Sequence, residues 1–114
     1  MTIRRSDEGE LYTPPGHDAA VVSRKLFNPK TGCPKVDVHV TSFAPGTGMD
    51  EEVHEFSDHV IYMLSGSLEV LQAGTTIGIL NSGDAIHIPA GELHLVRNPG
   101  SVPGVFIVTT TLTK

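Results

Sequence analysis

Six histidines in a chain of 114 residues, four of them between residues 54 and 94, are the densest store of reactive side chains in this sequence. In Glu52-Val53-His54, residues two apart on an extended strand share one face, so a carboxylate and an imidazole can converge on one point. His59 follows just before the apolar run Val60–Leu64, and His94 follows the turn Pro89-Ala90-Gly91. Imidazole and carboxylate together suit one first-row divalent ion such as Fe, Mn, Ni or Zn. The same residues read otherwise as surface histidines and, with Glu51 and Glu55, as a solvated acidic loop. His39 and His87 alternate with apolar neighbours in their strands, and His17 lies in Pro14-Pro15-Gly16-His17-Asp18, where it reads as solvated or as a cap on a neighbouring subunit's site. No Ser-His-Asp order, phosphate-cradling loop or Cys-x-x-Cys competes with a metal reading.

The elements that must hold these groups are short. Beta-branched runs occur at residues 36–40, 60–64, 68–71, 77–80, 85–88, 93–96 and 105–108, divided by Pro45-Gly46, Ser65-Gly66, Ala73-Gly74, Asn81-Ser82-Gly83-Asp84 and Asn98-Pro99-Gly100. Short strands at this spacing predict an all-β barrel or sandwich, and no ten-residue stretch keeps a helical stripe. Residues 1–30 read as an irregular arm of the same domain, with one strand around 19–27, and residues 31–114 as the barrel. Phe56, Met63, Phe106 and His39 are the candidate substrate-contacting residues. Asp84 and Asn98 read as turn-forming residues that bond to nearby backbone.

Composition narrows the classes. A mass of 12.2 kDa gives one domain, and the lone Cys33 cannot form an internal disulfide. A net charge of −5 and a pI near 5.6 argue against a nucleic-acid partner. The longest apolar runs are far short of the roughly 20 residues that cross a bilayer, so no membrane span is expected. The first ten residues, MTIRRSDEGE, lack the apolar core of a secretory signal, and a cytoplasmic location is expected. Val60–Leu64 has no polar alternate positions, which predicts cover on both faces and a homodimer with residues 1–30 at its interface.

Two segments carry a family resemblance. Residues 46–66 read Gly46, five residues, Glu52, one, His54, four, His59, six, Gly66, which resembles the first motif of the cupin superfamily. Residues 83–98 read Gly83, five, Pro89, one, Gly91, two, His94, three, Asn98, which is similar to the second motif at every specified position. The chain departs from the first motif in a particular way. Glu52 stands where the family has a histidine, and His59 where it has the glutamate. An alternative register from Gly48 puts His54 first and Phe56 in the second histidine position, but leaves only two residues before His59.

The resemblance implies a small single-domain conserved-barrel cupin, a jelly-roll of double-stranded β-helix. It implies one divalent transition metal (Fe, Mn, Ni or Zn) held by Glu52, His54, His59 and His94, with two members of the usual set exchanged. The implied activity is metal-dependent chemistry on a small organic molecule, such as dioxygenation, decarboxylation or isomerisation. The other class that the superfamily admits is a non-catalytic small-molecule or sugar-binding sensor.

Overall fold

The alternating runs fold into nine strands among the residues that the structure, a computed structural model, describes (1–112). In chain order they are β1 (Leu11–Tyr12), β2 (Val21–Phe27), β3 (Val36–Phe43), β4 (His59–Ser65), β5 (Leu68–Gln72), β6 (Thr75–Leu80), β7 (Ala85–Ile88), β8 (Leu95–Arg97) and β9 (Gly104–Thr111). A single 3₁₀ turn at Pro29–Thr31 is the one helical element among the described residues. No helix there is long and apolar enough to cross a membrane.

The strands form two antiparallel sheets, ordered β1-β2-β3-β9-β4-β7 and β6-β5-β8. Both belong to an all-β jelly-roll barrel, and their inner faces make one core. Val21, Phe43, Ile61, Met63, Phe106 and Val108 come from the larger sheet, and Leu68, Val70, Leu80 and Val96 from the smaller. The strand read in the arm is β2, paired with β3 along Val21–Phe43 to Phe27–Val38. Residues 21–27, which lie before the expected boundary at residue 31, are thus part of the barrel wall.

Strand β3 shows which way the alternation points. Asp37, His39, Thr41 and Phe43 share one face by the period of two, and the last three line the internal cavity. Val36, Val38 and Val40 therefore face outward. On β4 the same rule buries Ile61 and Met63 and leaves Val60, Tyr62 and Leu64 at 43%, 47% and 42% exposure. Within one chain the arm does not cover that outer face.

Asn98 is the polar joint of the barrel's end, as the turn reading requires. It is 1% exposed. Its Nδ2 donates to the carbonyls of Phe43 and Val102, at 2.9 and 2.8 Å, and its Oδ1 accepts from Gly100 N–H. The Asp84 carboxylate accepts from Asn81 N–H and closes its own turn.

Candidate metal centre and cavity

Glu52 and His54 do not lie on a continuous strand, as their spacing suggests, but in the loop that joins β3 to β4. Their convergence has a different cause. Glu52 and His94 form an isolated antiparallel bridge: Glu52 N–H donates to His94 carbonyl at 2.9 Å, and His94 N–H donates back at 3.0 Å. Gly91 N–H also donates to the His54 carbonyl, so the Pro89-Ala90-Gly91 turn fastens the same loop. The two motif segments are thereby sewn together through backbone, and their side chains meet.

The meeting is close. One ligand atom each of Glu52, His54 and His94 lies within 4.8 Å of the others. His54 Nε2 donates to Glu52 Oε1 at 2.9 Å, and His94 Nε2 lies 3.7 Å from the same oxygen. His94, 6% exposed, donates its Nδ1–H to the Glu92 carbonyl at 3.1 Å. That contact fixes ring orientation and leaves Nε2 aimed at the cluster, the second contact that metal-bound histidines ordinarily make.

His59 stands beside this group of three rather than within it. Its ring packs on His54 with centroids 4.0 Å apart and lies 5.9 Å from His94. Its Nδ1 is a buried polar atom with no hydrogen-bond partner among the described residues. A buried nitrogen in that condition costs free energy unless something binds it. An orphaned imidazole nitrogen next to three convergent nitrogen and oxygen donors fits a divalent transition ion.

Electrostatics separate the four groups. For Glu52, burial works to raise the pKa, but contacts with His94 and His54 outweigh it and hold the carboxyl at about 2. Burial, reinforced by the positive potential of His54 and His94, pushes His59 down to about 4, so it is neutral at pH 7. Burial also works to lower His94, yet Glu52 and the Glu92 carbonyl together raise it above the usual value.

Glu52, His54 and His59 line a cavity of about 280 Å³, and His94 meets them from outside its lining. Phe43, Val96, Phe106, Val108, Pro14 and Pro15 give it apolar walls, and Tyr12, His17, His39 and Thr41 add polar points. Of the four side chains expected to contact substrate, His39 and Phe106 line it. Met63 is fully buried in the core, and Phe56 is 66% exposed on the loop, so neither does. His17 turns into the cavity of its own chain, because Asp18 accepts from Gly48 N–H and Asp50 N–H donates to the Gly16 carbonyl. Tyr12, Pro14, Pro15 and His17 of the arm thus line the cavity of their own chain. His87 is exposed, and its Nε2 pairs with Asp58 at 2.9 Å. Tyr12, Pro14 and Pro15 went unrecognised in the sequence, since only the pairing of β1 with β2 brings them here. Thr41 shares the phase of His39 and was within reach of the alternation rule.

Comparison with known proteins agrees with this architecture. A family model for the cupin domain (Cupin_2) matches residues 39–110. The chain belongs to the cupin family. The tetracenomycin polyketide synthase protein TcmJ of Streptomyces glaucescens is 31% identical over 90 residues, which are 78% of this chain. This cupin spans 60% of the length of that relative. The polyketide cyclase RemF from Streptomyces resistomycificus superposes with a TM-score of 0.84 at 24% identity, over 97% of this chain and 79% of the other. A predicted oxalate decarboxylase from Thermotoga maritima gives 0.83 at 22% identity, over 98% and 99% of the two chains. These two superpositions share the fold.

Proposed function

We propose that this cupin is a metal-dependent enzyme acting on a small, largely apolar carbonyl compound, with polyketide-type cyclisation as its reaction class. The observation that carries the reading is the convergence of Glu52, His54 and His94, the first two of which line an apolar-walled cavity. The likeness to RemF, a polyketide cyclase, and to TcmJ, a polyketide synthase protein, supports the cyclase class over the dioxygenase, decarboxylase and isomerase chemistries that the superfamily also hosts.

Glu52, His54 and His94 would hold the ion, with His59 as the fourth donor. A divalent ion bound there supplies a Lewis acid that polarises a carbonyl oxygen. The chain's own residues do the rest. The Glu92 carbonyl orients His94, and the Glu52 carboxylate brings one negative charge that offsets part of the ion's two. Phe43, Phe106 and Val108 exclude water and hold an apolar ring system, while His39, Thr41 and Tyr12 offer polar contacts to its oxygens.

The test begins with elemental analysis of protein purified without chelator, followed by turnover on aromatic β-diketones. About one ion per chain together with cyclised product supports the proposal. One ion per chain with ligand bound but unchanged moves the protein to the sensor class. No ion in any preparation removes the metal centre and the enzyme reading together.

A further inference from the structure

The cavity holds an imidazole, His39, backed by a carboxylate, that the metal reading does not use. Asp37 and His39 are two apart on β3, on the face that continues into Thr41 and Phe43. His39 Nδ1 lies 3.3 Å from Asp37 Oδ1, and the imidazole lines the cavity with only 15% of its side chain exposed. With Nδ1–H donating to the carboxylate, Nε2 keeps its lone pair, and no hydrogen-bond partner for Nε2 occurs among the described residues. The ring is held edge-on to Tyr12, with centroids 6.2 Å apart. Burial pushes His39 below the usual imidazole value, against the opposing pull of Asp37, so at pH 7 it is neutral and can accept a proton.

We propose that His39 is the proton-transferring base of the cavity and that Asp37 is its positioning residue. This rests on the reading of the cavity as a site of carbonyl chemistry. The His39 Nε2 lone pair takes a proton from a carbon beside the substrate carbonyl. The C–H electron pair becomes the enolate double bond, and the carbonyl π pair moves to oxygen. After carbon–carbon bond formation, the imidazolium returns its proton to the new alkoxide or to a departing hydroxyl, which leaves as water. No oxidant or reductant enters. The carboxylate at Nδ1 fixes the tautomer and stabilises the imidazolium, the arrangement of an acid–base histidine backed by an orienting group.

The experiment uses the full-length, metal-loaded protein in D₂O with 2-tetralone, an aromatic ketone with exchangeable protons beside its carbonyl. Deuterium uptake is followed by NMR, and the metal content of every variant is measured alongside. Wild-type protein accelerates exchange. His39→Gln lowers the acceleration by about a hundredfold or more while metal content stays constant, in keeping with the usual size of general-base catalysis. Asp37→Asn lowers it by a smaller factor and shifts the ¹⁵N resonances of His39 away from the Nδ1–H tautomer, a change that a merely structural role would not produce. His87→Gln, which removes a surface imidazole, leaves exchange unchanged. Acceleration that survives His39→Gln, or that is lost on His17→Gln instead, overturns the assignment and leaves the enzyme reading standing. Absence of acceleration by wild-type protein overturns both. Should His39→Gln melt below the assay temperature, the tautomer shift in Asp37→Asn decides the orienting contact.

Discussion

Glu52 has neighbours with very different duties. Its own carboxylate faces His54 and His94, whereas Glu51 Oε2 accepts from the N–H of Ala73, the one described non-glycine residue with positive φ (50°). His54→Ala and His94→Ala should therefore abolish stoichiometric metal, and Glu52→Ala should weaken binding or change metal preference. Glu51→Ala should leave metal content intact and cost about 1 kcal/mol by loosening the β5–β6 turn. Metal titration and urea melts of the same variants separate the two effects. Acid should also be felt in the metal-free protein. The folded state keeps His59 neutral down to about pH 4, while an ordinary imidazole protonates near 6.5. The unfolded chain thus binds more protons between those values, and stability falls as pH drops through that window. Glu52 extends the loss from its ordinary 4.5 down to about 2. His94, with a raised pKa, acts oppositely: its contribution is complete below 6.5 and fades as pH rises through its folded value. Thermal melts should show a lower Tm at pH 4.5 than at pH 7, and His59→Leu should flatten that difference.

At the scale of elements, one side chain joins the end of β3 to the 98–102 turn through three hydrogen bonds. Asn98→Ala leaves the carbonyls of Phe43 and Val102 and the N–H of Gly100 without their partner, and a loss of about 3 kcal/mol should appear in urea unfolding. Gly66→Ala should cost a comparable amount, since its φ of +70° disfavours a side chain and a Cβ there would run into the Pro103 carbonyl oxygen. Each of the seven β-branched runs became a strand because the turns between them were marked by Gly, Pro, Asn and Asp, which act locally. The second motif was legible for the same reason. The 51–58 loop was not. Its Glu52–His94 pairing joins residues 42 positions apart, and a period-two rule puts Glu52 and His54 on one face without revealing that an isolated bridge to His94 enforces it. Phe56 and Met63 failed for a related reason: side-chain type predicts burial, but only the sheet register tells core from cavity.

For the whole molecule, the direction of the β3 alternation matters most. Its polar row faces inward and its valines outward, where Val40, Ile107 and Tyr62 lie in register across β3, β9 and β4. An apolar row across three central strands calls for cover, and we propose that a second copy supplies it. In this proposal the contact is made by the outer face of the sheet, and not by residues 1–10 of the arm. Tyr62→Glu should convert a dimer into a monomer in sedimentation at tens of micromolar, and removal of residues 1–10 should leave the dimer intact. A wild-type monomer at those concentrations would refute the assembly. Finally, the bridge between Glu52 and His94 has a thermodynamic meaning for the chain as a whole. An ion held on both sides of it would act as a reversible cross-link between distant segments that are independent in the unfolded chain. Heat resistance would then be a function of metal supply: free ion at a hundred times its Kd would add about 2.7 kcal/mol. If the site holds an ion, the same barrel starved of metal would be a softer protein, and its survival in a cell would report how much metal is there.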